Sequence, residues 1–123
     1  MITVPDFLLR RFYVKGSLGN GADGFRFQLR NTLGSGYAKR LMPLTVDGEE
    51  IPLEESFFTA EGERFPFSAV SEERPLALAL DKTITIWVAG HSLDKGPHKI
   101  GMGVQLAGLG DLRFDIVDVV QNE

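Results

Sequence analysis

The sequence predicts one all-β domain, an antiparallel β-sandwich or jelly roll of eight to ten short strands spanning residues 1–123. Three observations carry this. Apolar residues alternate with polar ones at period 2 in several stretches, and no helix-length window repeats its apolar residues near period 3.6. Fourteen glycines and six prolines fall at near-even spacing, which favours turns over long helices. At 123 residues and 43% hydrophobic content the chain is long enough to bury a core of its own.

The clearest strand is 25–30, where Phe25, Phe27 and Leu29 point one way and Arg26, Gln28 and Arg30 the other. A strand is expected over 9–15. Another covers 37–46, bent or at a sheet edge because Pro43 removes a backbone donor. Asp47-Gly48 follows as a tight type I′ hairpin turn, with a return strand over 49–53. Strands over 57–60 and 64–67 join through Glu61-Gly62, and Ser68 to Arg74 has room for one helical turn. Strands over 76–80 and 83–89 flank Asp81-Lys82, which reads as a second tight hairpin. The last two strands cover 98–106 and 112–120. In the second of these the apolar set changes face between Ile116 and Val117, which predicts a bulge or twist.

Composition excludes some functions. With no cysteine, neither disulfides nor thiolate metal sites are available, and a reducing, cytoplasmic setting is the expectation. The first residues carry no basic and long apolar leader pattern, and no apolar run reaches the roughly 18 residues of a membrane helix. A net charge of −4 without a basic stripe argues against nucleic acid as a partner.

Several residue patterns invite chemistry. Gly19-Asn20-Gly21-Ala22-Asp23-Gly24 matches G-x-G-x-x-G, but a strand follows it rather than the helix that would hold a pyrophosphate, so a hairpin loop is expected. His91, Asp94 and His98 are the one candidate set of metal ligands. Their spacing suits a helix, and Gly90, Gly96 and Pro97 make the segment a loop. Ser92 beside His91 and Asp94 has the residue types of a nucleophilic triad, but neighbours on one loop rarely align as one. The pairs Glu49-Glu50, Glu54-Glu55 and Glu72-Glu73 cannot each form an acid–base dyad on a strand, because successive side chains point to opposite faces. No catalytic residue is assigned to this chain.

Two features point to binding instead. Ile84, Ile86 and Val88 share a face, which leaves Trp87 on the polar face with Thr83 and Thr85 as a candidate for sugar stacking or a protein interface. Pro75 to Leu80 is apolar on both faces, so either another segment or a partner is expected to cover it. Leu76, Leu78, Leu80, Trp87 and Tyr37 are the candidate interface residues.

The order of Gly24-Phe25-Arg26-Phe27-Gln28-Leu29-Arg30, then Thr45-Val46-Asp47-Gly48-Glu49-Glu50-Ile51-Pro52, then Leu93-Asp94-Lys95-Gly96-Pro97-His98-Lys99-Ile100, resembles the small β subunit of bacterial C-glycoside deglycosidases over roughly Val14 to Val120. The resemblance implies a non-catalytic β-sandwich that stabilises a TIM-barrel α subunit. That subunit would hold a divalent metal (manganese or similar) and cleave the carbon–carbon bond between sugar and aglycone in 3-oxo-C-glycosides. This chain would carry no cofactor. Two alternatives stay open: a free-standing carbohydrate-binding sandwich using Trp87 and Tyr37, and a small metal enzyme using His91, Asp94 and His98.

Overall fold

The computed structural model describes residues 6–121. Eleven strands form two sheets in the order β1 (Gly19–Asn20), β2 (Gly24–Arg30), β3 (Gly36–Leu41), β4 (Thr45–Val46), β5 (Glu49–Glu50), β6 (Ser56–Ala60), β7 (Glu63–Pro66), β8 (Leu76–Leu78), β9 (Thr83–Ala89), β10 (Pro97–Leu106) and β11 (Gly110–Val119). One sheet runs β1-β2-β9-β6-β7. The other runs β5-β4-β10-β3-β8, with β11 on the far side of β10. All strand pairings are antiparallel. The expected all-β sandwich is what the chain adopts.

Alternation fixes the core. Phe25 and Phe27 of β2, Ile84, Ile86 and Val88 of β9, Ile100 of β10, and Leu112, Phe114 and Ile116 of β11 are buried on the facing sides of the two sheets. The expected turns form where residues must enter the left-handed region. Asp47 and Gly48 have φ of 52° and 90°, and Glu61 and Gly62 have 53° and 83°, the two positive values a type I′ hairpin requires. Gly24 is required for a different reason: a Cβ there would collide with the Val88 carbonyl across the ladder.

Four expectations need correction. Residues 9–15 are not a strand. A helix, α1 (Asp6–Leu9), runs into a 3₁₀ turn at Arg10–Phe12, and only Tyr13 makes a bridge, to Leu29. Leu9 and Phe12 both reach the core three residues apart, which is helical spacing. Asp81-Lys82 closes no hairpin: β8 pairs with β3 in one sheet and β9 with β2 and β6 in the other, so the segment carries the chain from sheet to sheet. The return strand after Asp47-Gly48 stops at Glu50 and gives way to a 3₁₀ turn at Leu53–Glu55. Finally, β11 has no bulge. Its register with β10 is continuous from Pro97 opposite Val119 to Leu106 opposite Gly110, and Val117 and Val119 simply face out, 65% and 48% exposed.

The flank of the sandwich beside β11 is closed by the N-terminal segment. Phe12 packs edge-on against Phe114, ring centroids 6.1 Å apart. Arg10 Nε donates to the Asp115 carbonyl on β11 at 3.2 Å. Tyr13 Oη donates to Asp118 at 2.7 Å, and the Gly16 N–H reaches the same carboxylate at 2.8 Å. Burial and the Asp118 bond raise the Tyr13 phenol well above its ordinary value. For Asp118, burial pushes the carboxyl up, but bonds from Tyr13 and from the Gly16 and Val119 N–H groups outweigh it and hold the group below the usual carboxylate range.

Candidate functional site: an open apolar cleft between the sheets

The two ends of the sandwich are filled differently. At the end holding Phe25, Val88 and Ile100, three residues from outside the main strands close the core: Leu18, Leu93 and Val120 are all buried. Hydrogen bonds place them. The Asn20 side chain bonds both the N–H and the carbonyl of Leu93, and the Gln121 N–H donates to the Leu18 carbonyl.

At the other end the inward rows continue, but among the described residues nothing fills the space between them. Leu29 of β2, Leu78 of β8, and Met102, Val104 and Leu106 of β10 face inward yet are only half-buried. They line an apolar cleft of about 430 Å³, floored by Phe67, Ile86 and Phe114. The segments around its mouth are 31–36, 79–82 and 107–109. Their small residues, among them Gly34, Ser35, Gly36, Ala79, Ala107 and Gly108, send no apolar side chain inward. Of the leucines in these segments, Leu80 is 54% exposed, while Leu33, 40% exposed, and half-buried Leu109 lie along the cleft. Native interiors normally pack without voids of this size, and the volume falls in the range of small-ligand sites, about 300–1,000 Å³.

Asn31 holds this mouth together. Its Nδ2 is shared among the carbonyls of Gly34, Leu78 and Ala79, at 2.7, 3.1 and 3.2 Å. Its Oδ1 accepts from the Leu33 and Gly34 N–H groups, and its backbone pairs with Lys82 and Asp81. One side chain thus ties together the two segments that cross between the sheets. The charged residues lining the cleft are Arg30 and Lys82, and no carboxylate lines it among the described residues. Arg30 makes an exposed pair with Asp81 at 3.2 Å, and Lys82 Nζ donates to the Ala77 carbonyl at 3.3 Å.

The residues singled out in the sequence lie mostly elsewhere. Leu76 is buried in the core and Leu78 lines the cleft, so neither offers an outer face. Leu80 and Tyr37 are exposed, Tyr37 at 56%. The apolar outer side of β8 reduces to Ala77, with Ala79 beyond it, so no second buried face exists there. Trp87 does face outward, but Arg64 and Arg26 lie over its ring at 4.7 and 5.9 Å. That arrangement occupies a face a sugar would need, and the Trp87 Nε1 is buried without a partner.

The histidines do not converge on a metal. His91 pairs with Glu55. His98 places Nδ1 2.7 Å from Asp47 and Nε2 2.8 Å from the Asp94 carbonyl. Both partners are acceptors, so both ring nitrogens donate and the imidazolium form is favoured. The Asp47 bond, then the Asp94 carbonyl, raise the His98 pKa. Asp47 is lowered, first by the Lys99 N–H and then by His98. A protonated imidazole is no metal ligand, and among the described residues no cluster of three His, Cys, Asp or Glu has metal-binding geometry. The G-x-G-x-x-G segment is a hairpin loop between β1 and β2, with the Gly21 N–H donating to the Gly24 carbonyl at 2.7 Å.

The cleft was not legible as a site beforehand. Its advance signals were indirect: the apolar strand with Leu76 and Leu78, and Tyr37, all of which line it, and the small residues in the connecting segments.

A family model, hydroxymethylglutaryl-CoA reductase, N-terminal domain, matches residues 8–121. No curated protein matches the chain significantly. The family match overturns the resemblance to C-glycoside deglycosidase β subunits, because it covers the same stretch under a different family. The pieces that carried the resemblance have local structural reasons. Asp47-Gly48 is a hairpin turn open to many sandwiches, and His98 is held by its own turn. The barrel partner, its divalent metal and the 3-oxo-C-glycoside rested on the resemblance alone.

Proposed function

From the premise that this chain belongs to the family of the hydroxymethylglutaryl-CoA reductase N-terminal domain, we propose that it is a non-catalytic binding domain accessory to a larger enzyme. It acts by receiving an apolar guest in the open end of its sandwich. The carrying observation is the cleft: inward-facing Leu29, Leu78, Met102, Val104 and Leu106 stay half-exposed around about 430 Å³ of apolar space. Exposed apolar surface at the mouth of a cavity is a standing driving force for association. A reducing, cytoplasmic setting belongs to the same reading and rests on the absence of cysteine.

Nuclear magnetic resonance titration of the full chain with a small neutral apolar probe such as toluene tests this. Shifts are expected at the methyls of Leu78, Met102 and Leu106, with Val88 and Ile100 unmoved. Shifts confined to the outer faces, or none at saturation, would overturn the reading. The accessory role has its own readout: adding the chain to the catalytic module it accompanies should change that module's stability or kcat/KM.

The carbohydrate-binding alternative is less well supported, because Arg64 and Arg26 cover Trp87.

A further inference from the structure

We infer that the guest is a single unbranched alkyl chain with one anionic head group, the chain between the sheets and the head at Lys82. The inference rests on the binding reading above and adds the chemical class.

Three features of the cleft select this class. The first is its lining. Leu29, Leu78, Ile84, Met102, Val104 and Leu106 provide aliphatic surface from both sheets, and aliphatic walls without buried polar partners reject a polar ligand body, whose groups would lose water and gain nothing. The second is its size. A methylene takes about the space of a water molecule, and each water occupies roughly 30 Å³ in the liquid, so about 430 Å³ accommodates roughly a dozen such groups. That is room for one medium-length chain.

The third is charge. The chain as a whole has 17 acidic and 13 basic residues, yet the two charged residues that line this cleft are basic, Arg30 and Lys82. Arg30 alternates to the outer face of β2 and pairs there with Asp81, which leaves Lys82 as the cation available to the cleft. Lys82 spends one ammonium proton on the Ala77 carbonyl and keeps two donors for a ligand. The neighbouring polar group, the Asn31 amide, is spent on the backbone of the two crossing segments. The anion therefore has a cationic partner at the mouth, and the chain has apolar walls within.

Isothermal titration calorimetry of the full chain with dodecanoate and with dodecanol separates the class from the cleft itself. Dodecanoate is expected to bind about fivefold more tightly, the upper end for one solvated charge pair. Lys82→Met should abolish that preference, leave dodecanol affinity unchanged, and leave the melting temperature near that of the parent. Leu106→Trp, which fills the cleft, should abolish both.

Equal binding of acid and alcohol with an indifferent Lys82 would overturn the head-group assignment and leave the apolar site standing. Undiminished binding to a folded Leu106→Trp would place the ligand elsewhere and overturn the inference. Failure of both ligands, with no methyl shift at Leu78 or Met102, would overturn the inference and the binding reading together.

Discussion

The packed and open ends of this sandwich are built from the same strands, with the same alternation of apolar and polar residues, and differ in what the connections bring. At the packed end, segments outside the main strands deliver Leu18, Leu93 and Val120 into the space between the sheets. At the open end, the connections bring mostly small and polar residues; Leu80 is exposed, and Leu33 and Leu109 lie along the cleft without closing it. Within β10, Ile100 is fully buried while Met102, Val104 and Leu106 on the same face are half-exposed. The strands decide which side chains face inward, and the loops decide whether those side chains find anything there.

The sharpest way to break this comparison is to truncate one inward residue at each end. Phe27→Ala, at the fully buried end, should cost about 3–5 kcal/mol in chemical denaturation. Leu106→Ala should cost about 1 kcal/mol or less, because one side of that side chain already lacks partner atoms. Equal costs would mean that the open end is packed in solution. Asn31→Ala strips the bonds between the crossing segments and should cost about 1–3 kcal/mol, with hydrogen exchange rising around 31–36 and 79–82 and unchanged at Val88.

The next effect is in pH. His98 is raised by Asp47 and the Asp94 carbonyl. Its contribution is complete below the ordinary histidine value, about 6.5, and is lost as pH rises through the higher folded value. Asp118 is lowered, so its contribution is present above the ordinary carboxylate value and is lost as pH falls through the folded one. Melting temperature followed against pH should show both limbs. His98→Asn should flatten the upper one and Tyr13→Phe should weaken the lower one. The smallest expected effect is Val104→Phe, which adds volume where space exists and should leave stability within about 1 kcal/mol of the parent or slightly above it. A loss of several kcal/mol would show that the cleft does not stand open.

Much of the fold was legible because period-2 patterns and turn chemistry are local. Phe25 to Arg30, the Asp47-Gly48 turn and the outward placement of Trp87 all followed from residues near one another in sequence. Asp81-Lys82 misled because its signal is a chain reversal, and a reversal into the opposite sheet looks the same as a hairpin from within the chain. The segment 9–15 misled because in so short a stretch the helical spacing of Leu9 and Phe12 does not stand out. The cleft was hidden for a more general reason: alternation names the face a residue occupies and carries no information about the distance to the facing sheet. Asn31 escaped notice because its importance lies in four carbonyls and N–H groups that only the folded crossing segments bring together.

The Arg10 contact with Asp115 bears on how copies of this protein keep apart. A strand with unpaired backbone groups is a template on which another chain can add. Most edge strands here are poor templates: β5 is two glutamates, β7 ends in Pro66, and β8 has three residues after Pro75. β11 is different, ten residues long and paired on one side by β10, with Val117 and Val119 exposed on it. By donating to the Asp115 carbonyl, Arg10 takes up one of the acceptors that an incoming strand would use. The 3₁₀ turn after the N-terminal helix thereby guards the longest edge against strand-by-strand aggregation.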